Sequence, residues 1–232
     1  MNIALLGYGR MGKTIEKIAK NRKHNIALTV DKNDDCDLDG VDVAIDFSVP
    51  DAAVDNISQC LEAHVPIVSG TTGWLEHYDE MTALCKKNNG SFLYASNFSV
   101  GVNVFFELNR KLAEMMQQFE QYDVSLKEVH HIHKLDAPSG TAISLAEDVL
   151  KKNDRYKNWS LDEKKENNIP IYAERENEVP GTHTITYKSE IDTIKIEHEA
   201  HSREGFALGA VLAAEWIKDK KGVFTMKDVL AL

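Results

Sequence analysis

The sequence predicts an α/β protein, with a Rossmann-type domain and an α+β domain built on an open mixed sheet. The first half alternates short apolar runs with stretches of helical periodicity, which is typical of a parallel sheet. A Gly-x-Gly-x-x-Gly motif separates the first predicted strand from the first predicted helix. The second half groups several segments rich in β-forming residues, which indicates a separate sheet.

The N-terminal segment has the features of a dinucleotide-binding unit. Residues 2–6 form an apolar run, and apolar positions recur at helical spacing after Gly12. In such a unit Gly7 permits the tight turn, Gly9 the close approach of the cofactor pyrophosphate, and Gly12 close helix–strand packing. Asp31 ends the second predicted strand, 19 residues after Gly12, where an acid is expected to bind the adenosine ribose.

Strands and helices continue to alternate over the first hundred residues. Residues 32–42 are polar and acidic, which predicts a short loop in place of the second crossover helix. Further strands are predicted at residues 26–30, 43–46, 66–69 and 91–95, with helices at residues 50–63 and from after residue 73 to about residue 88. Open parallel sheets bind ligands at the carboxyl ends of their strands, so a cofactor cleft is predicted where four loops meet: residues 7–12, 47–48, 70–73 and 96–99.

The second half predicts a mixed sheet with helices on one side. The predicted strands are residues 122–129, 169–173, 182–188 and 193–199, and the predicted helices are residues 103–118, 142–150 and 207–216. Six apolar residues of the helix at 103–118 are expected to pack as one face: Val104, Phe105, Leu108, Leu112, Met115 and Met116. Residues 151–168 are highly polar, which indicates a mobile surface loop, and we assign it no function.

A histidine-rich segment directly precedes the predicted helix at residues 142–150. Its candidate functional residues are His130, His131, His133, Lys134, Ser139, Gly140 and Thr141. Helix N-termini favour anions, and histidine is a suitable proton donor near neutral pH, so the segment suits an anionic substrate that must be protonated. On an extended strand His130 and Lys134 would lie about 13 Å apart, so we expect the strand to end near His130.

Composition and charge exclude several other classes. The formal net charge of -10 over 232 residues argues against nucleic-acid binding. An apolar run approaching the roughly 18 residues of a membrane helix is missing, and the N-terminus lacks the basic region of a signal peptide. Cys36, Cys60 and Cys85 share no metal-ligand spacing, which favours free thiols and a cytoplasmic protein.

Four motifs together resemble the dihydrodipicolinate reductase family of lysine biosynthesis. They are the glycine motif at residues 7–12, Gly-Thr-Thr-Gly at residues 70–73, residues 97–103, and the His-to-Thr segment with the following alanine at residues 130–142. The His-to-Thr segment is the most specific, and the similarity extends to residues 224–230. The resemblance implies an NAD(P)H-dependent reduction of 4-hydroxy-tetrahydrodipicolinate to tetrahydrodipicolinate, a step of the diaminopimelate pathway.

The resemblance also implies individual residue roles. It implies that Gly7, Arg10, Met11 and Gly12 contact the cofactor pyrophosphate and that Asp31 contacts the ribose. The nicotinamide side would be lined by Phe47, Gly70, Thr72, Ala95, Asn97 and Phe98. His130 matches the proton donor and Lys134 its partner, while His131, Lys134, Gly140 and Thr141 match residues that bind the substrate carboxylates. Independently of the resemblance, the N–H of Ser139 at the predicted helix N-terminus is expected to bind the same carboxylate.

Domain boundaries and assembly follow from the same resemblance. Residues 1–98 and 203–232 would form the dinucleotide-binding domain around a substrate-binding and oligomerisation domain at residues 99–202, and a homotetramer is implied. Two departures stand out: the loop at residues 32–42 is shorter than in many members, and Val129 replaces an alanine before the paired histidines.

Cofactor choice depends on the end of the second predicted strand. Asp31 can accept hydrogen bonds from both ribose hydroxyls of NADH and would repel a 2′-phosphate, whereas Lys32 could attract that phosphate. NADH is therefore the expected preference, with NADPH tolerated. If Asp31 points away, the opposite preference holds.

Three alternative functions stay open at this point. The chain could be another nicotinamide-dependent dehydrogenase of amino-acid metabolism, or a dinucleotide sensor without catalysis. A metal-dependent hydrolase would use Glu128, His130, His131 and His133 as ligands, but the neighbouring Lys134 opposes a cation. We expect no metal.

Overall fold

A computed structural model describes residues 1–31, 36–202 and 204–232, so the predicted contact of Lys32 lies outside the described residues. The chain divides into two compact units, residues 1–103 with 204–232, and residues 104–203. In chain order the strands are β1 (Asn2–Leu6), β2 (Asn25–Val30), β3 (Val43–Asp46), β4 (Ile67–Ser69), β5 (Ser91–Tyr94), β6 (Asp123–His130), β7 (Asn158–Leu161), β8 (Asn168–Arg175), β9 (Gly181–Lys188), β10 (Thr193–Ala200) and β11 (Gly222–Phe224). The helices are α1 (Arg10–Asn21), α2 (Pro50–Glu62), α3 (Tyr78–Lys87), α4 (Val100–Met116), α5 (Gly140–Leu150), α6 (Glu204–Ile217) and α7 (Met226–Leu230).

The first unit is built on a parallel sheet with the strand order β11-β5-β4-β3-β1-β2. Strand β1 shows why both faces of this sheet are covered. Ile3 and Leu5 point to a core formed with α1 and α6, whereas Ala4 and Leu6 point to a core formed with α2 and α3. Strand β11 pairs with β5, so the C-terminal segment returns to this sheet.

The second unit contains a five-stranded mixed sheet with the order β10-β9-β6-β8-β7. Strand β6 is antiparallel to β9 and parallel to β8. Helices α4 and α5 supply apolar side chains to a core that covers one face of the sheet, among them Phe105 and Leu145 against Leu126 and Ile185. The predicted fold class, including the open mixed sheet with helices on one side, is confirmed.

The prediction of a mobile loop at residues 151–168 was wrong. It contains β7, whose backbone pairs in parallel with β8, and Tyr156 and Ser160 are buried. The polar sequence concealed this strand because its hydrogen bonds come from the backbone, and only a few side chains of the segment reach the core.

The predicted apolar face of α4 also needs correction. Phe105 and Met116 are buried, but Val104, Leu108 and Met115 are 38%, 50% and 64% exposed. At about 100° per residue, the exposed residues cluster on one half of the apolar arc and the buried ones on the other. Only half of the predicted face therefore packs. The helix itself begins at Val100, three residues earlier than predicted.

The three cysteines, Cys36, Cys60 and Cys85, are free thiols. Among the helices of the described residues, not one combines the length and apolar character that crossing a bilayer requires.

Candidate active site

The glycine motif leaves an open anion site at the start of α1. A Cβ on Gly7 would lie 2.3 Å from the Phe47 carbonyl oxygen, and one on Gly12 would lie 2.3 Å from the Gly7 carbonyl oxygen. A Cβ on Gly9, by contrast, would meet nothing within 4 Å. Helix α1 begins at Arg10 with no capping side chain and no acid in its first turn. The turn therefore fits a dinucleotide pyrophosphate, because its N–H groups and open space can receive one.

A buried carboxylate organises the neighbouring loops. Asp46, at the end of β3, accepts hydrogen bonds from the Ser48 hydroxyl at 2.6 Å, the Asn56 amide at 3.0 Å and the Ser69 hydroxyl at 2.8 Å. These bonds connect the ends of β3 and β4 with α2, and they satisfy a side chain that is completely buried. Asp46 is not among the residues that the sequence predicts for the site, although an acid that ends an apolar strand is a signal.

Several residues predicted to line the nicotinamide side lie together in this unit. The rings of Phe47 and Phe98 are 5.5 Å apart, and a Cβ on Gly70 would lie 2.3 Å from the Phe47 ring. The Ala95 N–H donates to the Ser69 carbonyl, and the Asn97 side chain accepts from the Ser99 N–H. The other predicted cofactor residues Arg10, Asp31 and Thr72 are exposed, and Met11 is partly buried.

Strand β6 ends at His130, as predicted, and the chain then turns. The His130 side chain is buried, and its ring lies edge-on to the His183 ring at 5.1 Å between centroids. On the neighbouring strand, a Cβ on Gly181 would lie 3.1 Å from His130 Nε2. Because Gly181 has no side chain, there is room beside that nitrogen.

A buried glutamate connects His130 to the start of α5. Glu128 is completely buried, and both of its oxygens accept from the Ser139 N–H at 3.1 Å. The Arg175 guanidinium lies 3.4 Å from Oε1. On the other side, His130 Nδ1 and His183 Nε2 lie 3.6 and 3.7 Å from Oε2.

This network shifts two pKa values. Burial opposes ionisation of Glu128, but hydrogen bonds from His183 and Ser139 outweigh burial and lower the pKa of Glu128 to about 2. Burial also lowers the pKa of His130 to about 4, although the Glu128 charge opposes this shift. At neutral pH the carboxyl is therefore ionised and the imidazole is neutral.

His183 and Arg175 are the residues that sequence reasoning missed. Strand β9 brings His183 opposite Glu128, and β8 brings Arg175 beside His130. One weak signal existed for His183, which shares the core-facing side of β9 with Ile185 and Tyr187. Arg175 had no comparable signal.

The N-terminus of α5 is also open and could receive an anion. The Ser139 hydroxyl accepts from the Ala142 N–H as the helix cap, and a Cβ on Gly140 would meet nothing within 4 Å. Thr141 is partly exposed beside it. The Lys134 ammonium lies in the preceding loop and donates to both Asp136 oxygens, at 2.7 and 2.8 Å.

Two family models match the chain. One, described as the N-terminus of dihydrodipicolinate reductase, matches residues 1–98, and the other, described as the C-terminus, matches residues 101–230. A 4-hydroxy-tetrahydrodipicolinate reductase from Christiangramia forsetii is 61% identical, with 100% of this chain and 98% of that protein covered. The chain belongs to the dihydrodipicolinate reductase family. A reductase of the same name from Thermosipho africanus is 35% identical, with 99% and 98% covered.

The fold agrees with this family. A dipicolinate-bound dihydrodipicolinate reductase from Paenisporosarcina sp. TG-14 has a TM-score of 0.77 at 23% identity, with 97% of each chain covered. The glycine motif falls within the N-terminal family model, and the histidine segment falls within the C-terminal one.

The ligand set of the metal-hydrolase alternative is not brought together. One ligand atom each from Glu128, His130 and His183 lies within 4.8 Å of the others, which could hold an ion. The His133 side chain, however, is 70% exposed near Glu178, and its ring is tilted by 40° against the His131 ring, with the centroids 6.1 Å apart. The Arg175 charge beside Glu128 also opposes a bound cation.

Proposed function

We propose that this member of the dihydrodipicolinate reductase family uses reduced nicotinamide dinucleotide to convert 4-hydroxy-tetrahydrodipicolinate to tetrahydrodipicolinate. The reaction belongs to diaminopimelate and lysine biosynthesis. The observation that carries the proposal is a buried histidine at a strand end, whose Nδ1 lies 3.6 Å from the Glu128 carboxylate that accepts from the N-terminus of α5. A proton donor and an anion site are thereby joined in one family-specific segment.

His130 is the proposed proton donor. When bound, the nicotinamide supplies a hydride, so the protein must supply a proton and hold the substrate. Nδ1 of His130 faces the Glu128 carboxylate at 3.6 Å, while Nε2 faces the space beside Gly181. We therefore assign the transferred proton to Nε2, with Glu128 orienting the opposite side of the ring.

The substrate carboxylates are proposed to bind at two places. The N–H groups at Gly140 and Thr141, with the Thr141 hydroxyl, would hold one carboxylate at the positive end of α5. The predicted contribution of the Ser139 N–H needs correction, because that group donates to the buried Glu128 carboxylate. Lys134 would bind a carboxylate by exchanging its ion pair with Asp136, and His131 would assist. Pyridine-2,6-dicarboxylate, a planar diacid, should therefore compete with the substrate, whereas a neutral pyridine should not.

For the cofactor, we propose NADH as the preferred donor and NADPH as a tolerated one. The preference rests on Asp31 at the end of β2, since its carboxylate would repel a 2′-phosphate by roughly 4 kcal/mol at about 4 Å and an effective dielectric near 20, before solvent screening. For the assembly, we propose a cytoplasmic homotetramer that associates through the β10-β9-β6-β8-β7 sheet. Sedimentation velocity measures its mass directly.

An activity assay tests the function and the role of His130 together. The purified protein should oxidise NADH only when 4-hydroxy-tetrahydrodipicolinate is supplied. His130→Ala should lower kcat by about 10²- to 10⁴-fold, because a positioned general acid contributes that much, while NADH binding survives. NADH binding without oxidation in the wild type would favour the sensor alternative, and a variant kcat within threefold of wild type would remove His130 as the donor.

A further inference from the structure

We infer that Arg175 and Glu128 form a clamp that holds the segment from Lys134 to Ser139 in its substrate-binding arrangement. The inference rests on the proposed function, in which Lys134 and the N-terminus of α5 bind the carboxylates. Neither clamp residue needs to touch the substrate. Both are positioning residues that act through the main chain of this segment, which we call the carboxylate loop.

Arg175 binds the carboxylate loop at two main-chain positions. Its Nη2 donates to the Asp136 carbonyl at 2.6 Å, and its Nε donates to the Lys134 carbonyl at 3.4 Å. Arg175 is the last residue of β8 and lies beside His130 of β6. The guanidinium thus connects the position of Lys134 to the central strands of the sheet.

Glu128 binds the other end of the carboxylate loop. Its completely buried carboxylate accepts a hydrogen bond from the N–H of Ser139, which is the last residue before α5. The same carboxylate lies 3.4 Å from Arg175. Two oppositely charged side chains from adjacent strands therefore fix three points of the loop, at Lys134, Asp136 and Ser139.

Apart from Pro138, which is buried next to Ser139, apolar packing does not anchor this loop. The two large apolar residues after His130, Ile132 and Leu135, are 60% and 99% exposed. Burial of such side chains normally anchors a loop. Here the anchoring falls to the fork of Arg175, whose planar donors match two carbonyls and a carboxylate in a way that a lysine cannot.

The clamp predicts a specific loss of diacid affinity. Arg175→Gln should raise the Kd for pyridine-2,6-dicarboxylate and the KM for the substrate by about tenfold to a hundredfold, since small misplacements of binding groups have effects of that size. The KM for NADH should stay within twofold. The Kd and KM of Arg175→Lys should lie between those of Arg175→Gln and those of the wild type.

Removing Arg175 alone leaves the buried Glu128 carboxylate without its guanidinium partner and can unfold the protein. The double variant Glu128→Gln/Arg175→Gln removes both charges and keeps the variant testable. We expect it to melt near the wild type but to bind the diacid at least about tenfold more weakly. Arg110→Gln is the matched control, because Arg110 forms comparable ion pairs with Glu107 and Asp148 in the same unit, with 23% exposure against 22% for Arg175.

The carboxylate loop itself supplies the last comparison. In a Lys134→Met background, Arg175→Gln should weaken diacid binding much less than it does in the wild type, because Arg175 and Lys134 act through the same loop. The clamp would be overturned if the folded Glu128→Gln/Arg175→Gln variant bound the diacid with a Kd within twofold of wild type. An equal loss of diacid affinity in Arg110→Gln would also overturn it. If the wild type neither binds the diacid nor reduces the substrate, the proposed function fails instead.

Discussion

Binding of a dicarboxylate should make His130 take up a proton. In the ligand-free protein the pKa of His130 is about 4, well below its usual 6.5, because the ring is buried. This difference corresponds to about 3.4 kcal/mol for charging the imidazole. A neutral imidazole cannot act as a general acid, so in the proposed reaction the substrate itself must restore the proton.

The charge of the substrate is large enough for this purpose. One carboxylate about 5 Å from the ring stabilises the imidazolium by roughly 3.3 kcal/mol at an effective dielectric near 20. A single carboxylate would thus return the pKa of His130 to about 6.5. The other charged and titratable groups facing the ring in the ligand-free protein are Glu128, His183, Lys134 and Arg175.

Calorimetry measures the uptake directly. At pH 6 the fraction of protonated His130 should rise from about 1% to roughly three quarters when pyridine-2,6-dicarboxylate binds. Titrations in two buffers with different ionisation enthalpies give the number of protons bound per site. At pH 8 the uptake should nearly vanish, because 8 lies above the pKa of His130 in both states.

Two variants assign the proton to the correct ring. His130→Gln should lose the uptake, and subtracting its value removes any proton bound by the diacid itself. His183→Gln should keep the proton uptake even if its affinity for the diacid changes. Equal uptake in wild type and His130→Gln, or less than a tenth of a proton at pH 6, would refute the reasoning.

Two further predictions concern ligand choice. Asp136→Asn should tighten binding of pyridine-2,6-dicarboxylate by about 1.4- to 5-fold, because an exposed ion pair of 0.2–1 kcal/mol no longer competes for Lys134; unchanged or weaker binding in calorimetry would contradict this. Asp31→Ala should lower kcat/KM for NADH and raise it for NADPH at one ionic strength. A wild type that clearly prefers NADPH would sink the cofactor proposal.

Local patterns predicted most elements of the first unit. Strand β3 has its predicted bounds, and α2 begins at Pro50 as expected, because proline suits the first helical turn. The end of β6 at His130 followed from a reach argument alone. Each of these predictions depends on neighbours in the sequence.

The network around His130 could not be predicted in the same way. Arg175 and His183 reach Glu128 because β8 and β9 pair with β6 in one particular register. Register depends on the packing of whole strands, so no local pattern specifies which polar residues meet. Strand β7 was missed for a related reason, since backbone pairing with β8 outweighs its polar composition.

The return of β11 to the first sheet has a consequence for biosynthesis on the ribosome. Residues 104–203 form a unit that is continuous in the sequence, so all of it leaves the ribosome before α6 and β11 do. The cofactor-binding unit lacks its edge strand and the core side chains of α6 until residues 204–232 have followed. The anion site at α1 is therefore synthesised early in translation but stabilised last. A chain stopped shortly before β11 would contain every glycine of the motif, but its sheet would be incomplete.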